Sequence, residues 1–78
     1  MTLADIKTGA TVCIDSIDTS VKGIERLMVL GLVEGTHVSL LSAALGGDPI
    51  EVSCLGAAIT LRKAQARCFV VRELNPDD

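Results

Sequence analysis

The stretch Gly23-Ile24-Glu25-Arg26-Leu27-Met28-Val29-Leu30-Gly31-Leu32-Val33-Glu34-Gly35 decides how this chain of 78 residues folds. Ile24, Leu27 and Met28 recur at i, i+3 and i+4 and so share one face of a short helix. Lys22, Glu25, Arg26 and Val29 take the opposite face. Gly31 fits the C′ position, where a residue without Cβ adopts the left-handed conformation cheaply. Leu30 is then the C-cap, Leu27 is C3 and Leu32 is C″, and a Leu32–Leu27 contact would hold the helix end to the core. Gly35 offers a second position of positive φ, at i+2 of a type II turn over residues 33–36. The two glycines set where the chain leaves the helix and which way it enters the next strand.

Upstream, Thr2-Leu3-Ala4-Asp5 matches the [ST]-x-x-[DE] helix start and Gly9 offers a stop, so residues 3–7 are expected as one helical turn with Leu3 and Ile6 inward. Residues 11–15 alternate as a strand with Val12 and Ile14 on one side. Asp18-Thr19-Ser20 is a group of capping residues ahead of the helix; Ser20 is the expected N-cap, with Thr19 equally suited by type. Downstream, residues 36–42 read as a strand with Val38 and Leu40 inward and His37, Ser39 and Leu41 outward. A hairpin tip, residues 43–49, leads into a faultlessly alternating strand, residues 50–54. Leu55-Gly56 is a two-residue connection to a strand at residues 58–62, where Ile59 and Leu61 share a face. Residues 63–66 are expected as a single 3₁₀ turn. The last strand, residues 68–72, is expected with Phe69 and Val71 inward. Residues 1–74 form one domain on this reading, and Asn75-Pro76-Asp77-Asp78 a polar tail. The expected fold is mainly β: a small, closed, five-stranded antiparallel barrel plugged at one end by the helix, because an open sheet of this apolarity would leave reactive edges.

Composition excludes several functions. Hydrophobic residues make up 49% of the chain, enough for a core at a size near the lower limit for one, yet Phe69 is the sole aromatic. Stacking platforms for single-stranded nucleic acid and aromatic floors for proline-rich peptides cannot be built from that. The net charge of −3 repels a phosphate backbone, and Arg62, Lys63, Arg67 and Arg72 read as solvated charges at strand ends and turns. No apolar run approaches the ~18 residues of a membrane span, and residues 1–5 lack the features of a signal peptide. A cytoplasmic protein with no direct membrane insertion and no nucleic-acid partner is expected. Cys13, Cys54 and Cys68 form an odd set without a C-x-x-C pair and are expected as reduced thiols serving as small hydrophobes.

No catalytic set emerges, so the chain is not expected to be an enzyme. His37 is alone and outward-facing; a transition metal would have only this weak candidate, and no cofactor is expected. Asp15 and Asp18 flank a strand end beside a helix start, where capping is the commoner role. Gly46-Gly47-Asp48 lacks the Lys-Ser/Thr pair and following helix of a phosphate loop. A chain of this kind works by touching another protein. The residues expected to do so are Leu45 and Leu55 at hairpin tips and Val29 beside Arg26 on the polar helix face, and a contact patch requires that some of them cluster. Gly31, Gly35, Leu27 and Leu32 are expected to be architectural.

The string Arg26-Leu27, Leu30-Gly31-Leu32, Gly35, then Gly47-Asp48-Pro49-Ile50, then Leu61-Arg62-Lys63 resembles the FeoA family, small cytosolic proteins of bacterial ferrous-iron uptake. The resemblance runs from about Leu3 to Leu74 in the same order. One departure is Glu34, where the family usually has proline before the turn glycine; a type II turn tolerates glutamate there. The resemblance implies an SH3-like barrel and a role as an accessory to the membrane transporter FeoB, whose cytoplasmic part carries a G-protein domain. It implies no site list. The alternative it implies is a metal-linked regulatory domain, since the same barrel forms the C-terminal domain of iron-dependent repressors.

Overall fold

A computed structural model describes residues 1–74; the expected polar tail lies outside the described residues. The chain opens on a 3₁₀ turn, Leu3–Asp5. The Ala4 amide donates to Thr2 Oγ1 at 3.2 Å and the Thr2 amide donates to Asp5 Oδ2 at 2.8 Å, which completes the expected capping box. The turn stops at Asp5, short of residue 7, because Ile6 is already extended at φ −80° and ψ 156°.

Five antiparallel strands follow: β1 (Thr11–Ile17), β2 (His37–Ala43), β3 (Ile50–Cys54), β4 (Ala57–Leu61) and β5 (Phe69–Glu73), in the spatial order β4-β3-β2-β1-β5. Val12, Ile14, Val38, Leu40, Ile59, Leu61, Phe69 and Val71 are buried, as the alternation requires. Cys13 is buried as well, although it points away from Val12, because β1 sets it between His37 on one neighbouring strand and Arg72 on the other. Register shifts at Asp15 in β1 and Leu41 in β2 are bulges, which bend and twist the strands so that the sheet curls around one core.

Closure is where the expectation of a barrel is corrected. The sheet curls, but β4 and β5 are not paired among the described residues. The free side of β5 is occupied instead by the N-terminal segment, with the Val71 amide donating to the Met1 carbonyl at 2.9 Å and Thr2 bridging Val70.

Helix α1 (Ile24–Val29) buries Ile24 and Leu27 in the core and exposes Glu25, Arg26 and Val29. Its end has both Schellman hydrogen bonds: Leu32 N to Leu27 O at 3.1 Å and Gly31 N to Met28 O at 3.0 Å, with Gly31 at φ +122°. Leu32 is fully buried beside Leu27 in the same cluster, worth roughly 1.5–3 kcal/mol for such a side chain. The turn that follows closes from Thr36 N to Val33 O at 3.1 Å with Gly35 at φ +85°, so Glu34 is accommodated. The helix start differs from expectation. Gly23, not Ser20, is the N-cap, because the Ser20 hydroxyl and amide both donate to Asp18 Oδ1, at 2.6 and 3.0 Å, in a local turn. Residues 63–66 also differ: α2 (Lys63–Ala66) is one α turn and not a 3₁₀ turn, stabilised by the Gln65 side chain accepting from the Arg62 amide at 3.0 Å and by the burial of Ala66.

Two of these local turns predict an acid response. The Asp5 carboxyl lies below its ordinary pKa chiefly because the Thr2 backbone donates to it, and Asp18 does so because the Ser20 hydroxyl and then its amide donate to it. A carboxyl of depressed folded-state pKa contributes stability above the unfolded value of about 3.9, and loses it as pH falls through the folded value. Thermal melts should stay level down to about pH 5 and decline below about pH 4, with a shallower decline in Asp5→Asn and Ser20→Ala. An acid slope identical in both variants would refute that origin.

Candidate protein-docking site

Among the described residues no side chain of a charged or polar residue is buried, and no group of three or more His, Cys, Asp and Glu could hold a metal ion. His37 is exposed on β2, and the β1–β2 register places Cys13 opposite it, a juxtaposition invisible in linear spacing. These two side chains alone fall short of the three or four ligands of a structural or catalytic zinc site. Asp15 pairs with Arg72 at 3.3 Å, and Asp18 is engaged by Ser20, so the two carboxylates have separate structural partners. Cys13, Cys54 and Cys68 are free and buried. Burial pushes the Cys54 and Cys68 thiols up, with Asp18 adding to the shift at Cys68, which disfavours a nucleophilic thiolate. The Cys54 Sγ instead donates to the Gly31 carbonyl at 3.4 Å.

The surface offers a different kind of site between α1 and β4. The two-residue connection Leu55-Gly56 turns tightly, with both residues at positive φ, +52° and +82°. Such a turn favours Asn-Gly, and a leucine in the left-handed region costs about 1 kcal/mol. Leu55 is nevertheless 79% exposed, and its Cδ1 lies against Gly31, where only the absence of a Cβ leaves room. The hairpin delivers β4 alongside the helix. Between them lies a groove of about 310 Å³ whose walls are Arg26, Leu27 and Leu30 on one side and residues 57–60 on the other.

Of the residues expected to meet a partner, Arg26 lines this groove and Leu55 stands in the turn that leads into its β4 wall. Val29 is on the exposed side of α1, 88% accessible. Leu45 is fully exposed but belongs to the β2–β3 tip, at the opposite end of the β3 ladder from Leu55. Leu30, Ala58 and Thr60 do not stand out in the sequence as contact residues. Leu30 reads there as a helix cap, and the outward positions of β4 carry no distinguishing residue type. The available signal was the contrast between Ile59 and Leu61, which belong to the core, and Ala58 and Thr60, which alternate with them.

Residues 1–73 match the model of the FeoA domain. Among solved structures, the FeoA protein of Chlorobium tepidum is 37% identical over all of this chain and 74% of its own, with a TM-score of 0.89. A zinc complex of Stenotrophomonas maltophilia FeoA is 28% identical over 92% of this chain and 89% of its own, with a TM-score of 0.80. That protein is described as a prokaryotic SH3 domain protein suggested to act as a ferrous iron transport activating factor. A manganese-dependent transcriptional repressor, 19% identical over 95% of this chain and 41% of its own at a TM-score of 0.82, shares the fold. No protein with a curated description matches.

Proposed function

Since the chain belongs to the FeoA family, we propose that it is a non-enzymatic accessory protein of ferrous-iron uptake that binds the cytoplasmic side of a FeoB-type transporter and modulates it. The observation that carries this reading is the family match over residues 1–73, joined to an apolar groove with Arg26 on its wall in a molecule that buries no charged or polar side chain among the described residues. The groove is lined by side chains suited to protein contact, and Arg26 adds a directional charge to it. No helix among the described residues is long and apolar enough to cross a membrane, which fits a partner that meets the transporter from outside the bilayer.

The test is to mix the purified chain with full-length transporter and with its cytoplasmic domain, and to measure ferrous-iron uptake in cells with and without the gene. Binding to either form and altered uptake on deletion are expected. If neither form binds and uptake is unchanged, the reading fails.

A further inference from the structure

The two outer strands of the sheet are finished differently. β5 is covered by the N-terminal segment, while no strand lies on the outer side of β4 among the described residues. The two-residue turn makes Cys54 and Ala57 a hydrogen-bonded pair, so bonded pairs recur at Val52–Ile59 and Ile50–Leu61. The backbone N–H and C=O groups of Ala58 and Thr60 therefore point away from β3. Soluble proteins guard such an edge with lysine, proline, an inward charge or a bulge. Ala57-Ala58-Ile59-Thr60-Leu61 has none of these.

Two depressions run along this edge and share Thr60: the groove beside α1, and a second of about 220 Å³ bounded by Pro49, Arg62 and Gln65. Among the described residues no acidic one lines either depression. Arg26 lies in the first and has no ion pair among the described residues, whereas Arg62 in the second is paired with Asp48 at 3.8 Å. On a chain of net charge −3 this is an apolar channel, basic at its Arg26 end, along a strand edge that has no partner strand among the described residues.

We propose that the outer edge of β4 accepts an extended segment of a partner protein as an added strand. Main-chain hydrogen bonds form to Ala58 and Thr60, small apolar side chains enter the α1–β4 groove at alternate positions, and a carboxylate of the segment reaches Arg26. This rests on the accessory-protein reading and states how the partner is held. A second copy of this chain is disfavoured as occupant, because its own β4 edge would bring Arg62 toward Arg26, and the Asp48 carboxylate beside it is already engaged by Arg62 at 3.8 Å and by the Lys63 amide at 3.0 Å.

The experiment follows amide hydrogen exchange in the isotope-labelled full chain with two probes: full-length FeoB-type transporter in detergent micelles, and a capped synthetic peptide of alternating valine and threonine ending in glutamate. Exchange at Ala58 and Thr60 should slow by about tenfold or more with both probes. Thr60→Pro, which removes one outward N–H at an edge position that tolerates proline, should abolish the effect. Arg26→Glu, on an exposed helix position, should weaken binding by about tenfold. It keeps the test decisive if the proline variant unfolds. Transporter binding with unchanged exchange at Ala58 and Thr60 would overturn strand addition while leaving the accessory role intact. Protection by the peptide without any transporter binding would uphold the strand site and sink the accessory role. Protection that instead appears with rising concentration of the chain alone, at the same two amides, would overturn the choice of a foreign strand. Absence of protection with either probe would overturn the inference outright.

Discussion

Phe69→Ala is expected to lose about 3–5 kcal/mol of stability, the range for truncating a buried aromatic side chain. Phe69 is the sole aromatic residue, is fully buried, and stands opposite Ile17 at the start of β5. Every other buried core side chain among the described residues is aliphatic or a cysteine, and none matches the volume of the ring. A small domain has about 5–15 kcal/mol of stability in all, and the variant should therefore be partly unfolded near physiological temperature. Phe69→Leu keeps much of the volume and should recover most of the loss. Urea unfolding of the three proteins checks this through the midpoint. An unfolding free energy for Phe69→Ala, from midpoint and slope, within about 1 kcal/mol of the parent would show that the core is not organised around β5.

The second large effect is at the helix exit. Gly31→Ala is expected to cost about 1–3 kcal/mol, because φ +122° is a conformation that side chains with a Cβ rarely adopt. The added methyl would also stand 3.1 Å from Leu55 Cδ1 and 3.4 Å from Cys54 Sγ. Gly35→Ala, at φ +85° with open space around it, has the backbone cost without the crowding and should be milder. Combining Gly31→Ala with Leu55→Ala separates the two contributions: the double variant should regain only the crowding component. Equal losses at Gly31 and Gly35 would mean that the Leu55 contact has no energetic weight. Displacing Leu55 also disturbs the turn that leads into β4, so Gly31→Ala should weaken partner binding beyond its effect on stability.

Much of this fold is legible in the sequence because its decisive features are local. The Leu27-Leu30-Gly31-Leu32 pattern encodes the helix stop, and the alternation of Ile50-Glu51-Val52-Ser53-Cys54 encodes β3; both depend on neighbours a few residues away. Where the structure departs from the expectations, a side chain has a choice of partners, or a strand edge a choice of cover, that residue type alone does not settle. Ser20 looks like an N-cap until Asp18 takes its hydroxyl, and residues 63–66 look too short for a helix until the Gln65 side chain and buried Ala66 hold one turn. Closure of the sheet follows from the hazard of open edges, a sound rule that here applies to one edge only: Met1 and Thr2 cover β5, and no strand covers β4 among the described residues. For the candidate site, Arg26, Val29 and Leu55 were readable as exposed residues without a core role. The groove itself was not, since Ala58 and Thr60 acquire meaning only from the strand edge on which they lie. Leu45 and Leu55 look alike in sequence, and only the hairpin order places them at opposite ends of β3.

The measurement that bears most directly on a chain that acts by docking is a chemical-shift map taken as the transporter's cytoplasmic domain is added to the labelled protein. The changes should concentrate at Arg26, Leu30, Leu55, Ala58 and Thr60, with the Leu45 tip unchanged. Changes centred on Leu45, or none at saturating domain, would contradict it.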